Sequence, residues 1–198
     1  MPNNKKGFTL IELLVVMGIL GILMAVTILV INPAEYLKRS RDTQRISDIQ
    51  TVNSAVALAI ANGDELVSYA NQCYATIAVT PTVECNGTTA VAPIVGGGAD
   101  NRSSGGTGWI MGVDTSGSIG TLPIDPSNNA TTFFYLWSSS ATAYELNVAT
   151  LESAYYVTTN PIAANDGGDQ NTACAVSTYV ANCKYEVGTN LALINPTE

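Results

Sequence analysis

The chain has 198 residues, with 8 Lys and Arg against 16 Asp and Glu and a formal charge of −8, a length that suits one ordinary domain beside an anchoring segment. Histidine is absent, which removes the commonest general base and the commonest zinc ligand and points away from an enzyme. Beyond Arg45 only Arg102 and Lys184 are basic, so the distal body is acidic and poorly matched to phosphate backbones, whose binding rests on Lys and Arg.

In chain order, a short basic start with Lys5 and Lys6 leads into an apolar run from Phe8 to Ile31 whose only ionisable side chain is Glu12. At about 1.5 Å per residue the run reaches roughly 36 Å, enough for a hydrocarbon core of about 30 Å. It reads as a membrane anchor and not as a removed signal peptide, being long and lacking a clear small-x-small cleavage site. Lys38, Arg39, Arg41 and Arg45 follow the run closely and oppose the positive-inside tendency. The cysteines beyond it favour an external C-terminal body. Glu12 is the anomaly, since a carboxylate at a helix centre in lipid costs about 2.5–3.5 kcal/mol, less near the membrane edge. No basic residue within the run pairs with it. A free α-amine, made by cutting just before Phe8, would be the nearest cation, reached more easily from a neighbouring helix than from its own. A protonated Glu12 is the alternative.

Gly18, Gly21 and Pro33 mark points where the helix is expected to soften or kink. Apolar residues then recur at Ile46, Ile49, Val52, Val56 and Ile60, one face of a helix. The charged stretch from Lys38 to Asp48 is by default a solvated face; ion pairs along the helix or to adjacent subunits are the alternative. Asn62-Gly63 is a helix stop. Residues 63–121 read as a long connection with little regular structure. "TTFFYLWSS" (Thr131 to Ser139) and "AYELNVATL" (Ala143 to Leu151) form a hairpin candidate. Trp109 to Val113 and "KYEVGTNLALI" add further strands. The fold class expected is α+β: a long N-terminal helix whose amphipathic half carries an antiparallel sheet of three to five strands.

Four cysteines allow three pairings. The local one, Cys73–Cys85 with Cys174–Cys183, closes the shortest loops, each stabilising the fold by roughly 3 kcal/mol on the chain-entropy model. Such pairing implies an oxidising, extracytoplasmic setting. "NDGGDQN" places Asp166 and Asp169 on a Gly-rich turn; it offers oxygen ligands to calcium but lacks the full EF-hand pattern and reads equally as a plain acidic turn.

The stretch "KKGFTLIELLVVMGILGIL" closely resembles the N-terminus of type IV pilins and of the pseudopilins of type II secretion. The resemblance implies that a prepilin peptidase cuts after Gly7 and methylates Phe8, and that Glu12 pairs with the N-terminal amine of an adjacent subunit during assembly. A looser likeness in "LPIDP" and "YELNVATLES" extends into the head. The implied organisation is a leader at 1–7, a transmembrane and polymerisation helix at 8–31, its amphipathic continuation at 32–62, and a head at 63–198 with a variable loop (63–121) and a sheet region (122–198). The implied partners are copies of the chain itself, the peptidase, the inner-membrane assembly platform and, before assembly, membrane lipid; nucleic-acid binding stays open. The implied location is the cytoplasmic membrane with the body outside, then a surface filament. By the same likeness Cys174–Cys183 would bound an exposed loop, and several related pseudopilins bind calcium near the C-terminal end. A pseudopilin of a secretion system and a monomeric anchored binding protein are the alternatives to a surface filament subunit.

Overall fold

A computed structural model describes residues 7–70, 72–79, 83–85, 90–91, 94–95, 101–159, 162, 166–167 and 184–196. The chain divides between Leu37 and Lys38 into two compact units. In the first, helix α1 (Leu10–Ile31) is apolar on every side, and its large side chains from Leu10 to Ile28 are at least 42% exposed wherever they are described. A helix hydrophobic all round suits lipid or the interior of an assembly, not water. Gly18 and Gly21 lie inside α1 without interrupting it. The helix stops instead at Asn32, which takes a left-handed conformation (φ 45°, ψ 74°), a common C-terminal cap for Asn. Pro33 opens helix α2 (Pro33–Ala61), the position where its missing N–H and fixed φ are tolerated. The expected single helix is therefore two.

The second unit begins within α2. Ile49, Val52, Ala55, Val56 and Ala59 are buried, at the spacing the sequence predicted. The helix ends in a Schellman motif: Asp64 N–H donates to Ala59 O (3.1 Å) and Gly63 N–H to Ile60 O (3.0 Å). Gly63 has φ 108°, a conformation a Cβ would strain.

The strands are β1 (Tyr74–Ala75), β2 (Val83–Cys85), β3 (Ala90–Val91), β4 (Ile94–Val95), β5 (Gly105–Thr107), β6 (Met111–Asp114), β7 (Tyr135–Ser139), β8 (Tyr144–Val148), β9 (Tyr185–Gly188) and β10 (Ile194–Pro196). The main sheet has order β4-β1-β7-β8-β9. It is antiparallel except for the β1–β4 pair. β10-β2-β3 form a second, antiparallel sheet. The stretch 63–121, expected to be irregular, also holds the β5–β6 hairpin.

Both faces of the main sheet are covered. On one, Tyr135, Trp137, Tyr144, Leu146, Val148 and Tyr185 pack with Ile49, Val52 and Val56 of α2. On the other, Leu136 and Ala149 pack with Cys73, Cys85, Phe134 and Ile194. Three tyrosines bury their rings and hold α2 with their hydroxyls. Tyr135 donates to Asp48 (3.0 Å), Tyr144 donates to Asn53 (2.8 Å), and Tyr185 accepts from Gln50 Nε2 (3.0 Å). The Cys73–Cys85 disulfide, with Cα atoms 5.4 Å apart, ties the start of β1 to β2 and so joins the two sheets. Replacing both cysteines by Ala should lower the head's unfolding free energy by about 3 kcal/mol, read by urea unfolding of the full chain in detergent through Trp109 and Trp137 fluorescence.

Candidate functional site

Phe8, Thr9 and Glu12 occupy the start of α1. Thr9 is the N-cap, with extended backbone, and Glu12 is the third helical residue. Together they close a capping box: Glu12 N–H donates to Thr9 Oγ1 (3.3 Å), while Thr9 N–H and Thr9 Oγ1 both donate to Glu12 Oε2 (2.8 Å each). The acid thus satisfies amide donors that a helix start leaves open. Among the described residues no donor reaches Oε1. Phe8 is 91% exposed and lines, with Ile11, Glu12, Val15 and Val16, a shallow apolar groove along the helix. The Thr9-Leu10-Ile11-Glu12 spacing is the capping-box signature that marks this local partner of Glu12 in the sequence.

A second constellation lies in the head. Asp42 and Arg45 continue the stripe of Ile49, Val52 and Val56 at spacings of three and four, and both are fully buried. Arg45 commits all five of its N–H donors. Nε and Nη2 grip Asp125 (2.7 and 3.1 Å), Nη1 meets Asp42 and Glu152 (2.8 Å each), and Nη2 also reaches Ser127 Oγ (3.3 Å). Arg41 binds Glu152 bidentately at 2.6 and 2.8 Å. Asp42 in turn accepts the backbone N–H groups of Glu152 and Ser153, the latter at 2.7 Å. Asp125 accepts those of Ser127 and Asn128. The Phe133 ring faces the Arg45 guanidinium, its centroid 4.4 Å away.

Burial works against the Arg45 cation, yet its carboxylate partners raise its pKa, Asp125 foremost. Burial also pushes Glu152 up, but hydrogen bonds from Arg41 and Arg45 outweigh this and hold it below the ordinary carboxylate value. Arg45 is saturated by its neighbours and its acids are paired to it, so the cluster is a structural clasp. It corrects the expectation of a solvated face at Asp42 and Arg45, which are buried, and shows the ion pairing along the helix that was the alternative; Arg39 is exposed. The signal in the sequence was that Asp42 and Arg45 fall on the apolar stripe, with matching acids in "LPIDP" and "TLES".

Of the remaining predicted residues, Cys73 and Cys85 are bonded, while Cys174, Cys183 and Asp169 lie outside the described residues. Asp166 accepts the Glu186 backbone N–H (2.9 Å). Among the described residues no group of three or more His, Cys, Asp or Glu side chains is placed to hold a metal ion.

Residues 2–28 match the family model described as the prokaryotic N-terminal methylation motif. Fimbrial protein Q of Moraxella bovis is 30% identical over 133 residues, 65% of this chain and 82% of that protein. A fimbrial protein of Pseudomonas aeruginosa is 41% identical over 66 residues, 33% of this chain. The chain spans 42% of the length of that Pseudomonas relative. The type IV major fimbrial protein FimA of Dichelobacter nodosus is 34% identical over 74 residues, 37% of this chain and 44% of its own length. No solved structure matches the chain.

Replacing Arg45 by Met should cost about 3–5 kcal/mol of head stability, because Asp42, Asp125 and Glu152 then stay buried without their cation; Arg45→Lys should recover little of it, an ammonium having three donors where five are used. Glu152 has a folded pKa below its ordinary 4.5, so its contribution is full above pH 4.5 and lost as pH falls through the lower folded value. The stability gap between the parent chain and Glu152→Gln should therefore be largest above pH 4.5 and shrink below it, as urea titrations at stepped pH would show.

Proposed function

The chain belongs to the type IV pilin family, and we propose that it is the structural subunit of a surface filament, cut after Gly7, methylated at Phe8 and polymerised through α1. The observation that carries this reading is Glu12, held at the start of an apolar helix with Oε2 committed to Thr9 and Oε1 turned to no donor among the described residues. Cutting before Phe8 places a new ammonium one residue ahead of that cap. An amine from an adjacent copy can reach Oε1 as a charge-assisted hydrogen bond without dismantling the capping box, and such bonds are about twice as strong as neutral ones.

The rest of α1 supports the same course. Its 22 residues reach roughly 33 Å, matching a hydrocarbon core of about 30 Å. Before assembly lipid would cover the exposed side chains; afterwards neighbouring helices would. The Cys73–Cys85 bond fits a head outside the cytoplasm. The partners of this reading are other copies of the chain, a prepilin peptidase and a membrane assembly platform.

Filaments sheared from cells should contain a chain that begins at methylated Phe8 by intact mass. Glu12→Ala should leave a folded, membrane-held chain and reduce the sheared fraction at least tenfold. Undiminished filaments from Glu12→Ala would refute the role of the acid, and a chain keeping Met1 to Gly7 in the membrane would favour a monomeric anchored binder.

A further inference from the structure

The face of the main sheet turned away from α2 carries buried polar groups that neither the clasp nor α1 uses. In the β8–β9 ladder Asn147 stands opposite Glu186 and Val148 opposite Tyr185. Side chains alternate along a strand, so Glu145, Asn147, Glu186 and Lys184, the residue before β9, share one side. Each is at most 1% exposed. Buried amides and charges are costly unless hydrogen-bonded, yet neither side-chain atom of Asn147 makes a hydrogen bond. Glu145 Oε2 accepts the backbone N–H groups of Leu193 (2.7 Å) and Ile194 (2.9 Å), and its Oε1 has no hydrogen-bond partner. A primary amide, an amine and a carboxyl group thus share one buried face of the sheet, the amide near enough to Glu145 to act on its proton affinity.

Asn147 and Lys184 are diagonal neighbours across the ladder, an offset of roughly 7–8 Å between Cα atoms that a long side chain spans. A buried amine is favoured in its uncharged, nucleophilic form. Burial pushes Glu145 up to about 7, against the pull of the Ile194 N–H, the Asn147 amide, the Leu193 N–H and the Lys184 amine when that amine is charged. Near neutrality such a carboxyl group both accepts and donates a proton, as a general acid–base does.

We propose that Lys184 and Asn147 become joined by a self-catalysed intramolecular amide bond, with Glu145 carrying the proton. Lys184 Nζ attacks Asn147 Cγ, forming the new C–N bond. The Glu145 carboxylate takes one proton from Nζ and passes it to Nδ2. The Cγ–Nδ2 bond then breaks and ammonia leaves. Glu145 ends in the state in which it began, nothing is oxidised or reduced, and fixed geometry supplies the effective concentration that a free amine and amide lack. The product crosslinks β8 to β9 and makes the last strands of the head resistant to being pulled away, which goes beyond the filament role and does not depend on it.

Lys184 is the last of the chain's 8 basic residues, Arg102 being the one before it, so trypsin reads the bond directly. Chain isolated from its own cells, with Cys73–Cys85 shown to be oxidised, is denatured, reduced, alkylated and digested. An acylated Lys184 is not cut: the expected product is an intact 103–198 fragment lighter by one ammonia, with the 185–198 peptide lost. Asn147→Ala should release 185–198 at full yield, and Glu145→Gln should release it from most chains. Release of 185–198 from the parent chain, with no mass deficit, would overturn the proposal and leave Lys184 a buried ion-pairing residue. The parent digest decides this alone, whether or not the variants fold.

Discussion

The head depends on one buried guanidinium. Taking Arg45 out of water costs several kcal/mol unless every donor finds a partner, and removing one partner of such a set costs more than a neutral contact would. Its acids come from three places: Asp42 one turn back on α2, Asp125 ahead of β7 and Glu152 beyond β8. The last two flank the central hairpin, so the clasp fixes both ends of β7–β8 to the helix. The tyrosine hydroxyls then fix the sheet face along α2. Apolar packing between Ile49, Val52, Val56 and the aromatic residues supplies the bulk of the stability, but the hydrophobic effect behind it is non-directional. The ionic and tyrosine contacts are directional, and they set the register.

Closure of the second face has a consequence for the polar positions of β8. In a sheet with one wet face Glu145 and Asn147 would point to water. Here β7 and β8 are buried at every residue, and their polar side chains must find partners in a dry environment. Glu145 finds two backbone N–H groups next to β10. The same burial that makes those contacts necessary is what would make a reaction between side chains feasible. Structure and chemistry at that face have a single cause.

Much of this was legible in the sequence where a period or a cap carried it. The apolar run, the stripe on α2, the Asn62-Gly63 stop and the β7–β8 hairpin each rest on local pattern, and the structure has them. The break between α1 and α2 falls at Pro33, one of the three expected softening points, while the left-handed Asn32 that makes it leaves no mark on apolar periodicity. The parallel β1–β4 pair was not legible: two-residue strands have no period, and their pairing is a long-range choice. The clasp was half legible. Its arginine and one acid lie on the apolar stripe, but a charged residue on such a stripe is informative only when its distant partners are known, and Asp125 and Glu152 are far along the chain.

Glu12 shows how a local rule and a proposed collective role combine. With Thr9 donating twice to Oε2, one oxygen of the carboxylate is already satisfied in the lone chain and the other is left open. An incoming amine is then an addition to a stable cap, not the rescue of a stranded charge. Its net contribution is the difference between a half-satisfied and a fully satisfied carboxylate, which is small beside the gross attraction. The apolar residues of α1 gain little hydrophobic free energy by leaving lipid for protein, since both surroundings are apolar; helix association there rests on close packing and interhelical hydrogen bonds. Close packing along a uniformly apolar helix tolerates many axial offsets. A single carboxylate that accepts one amine at one position does not. In the proposed filament Glu12 would therefore choose the offset between neighbouring helices, while packing along the rest of α1 supplies the strength.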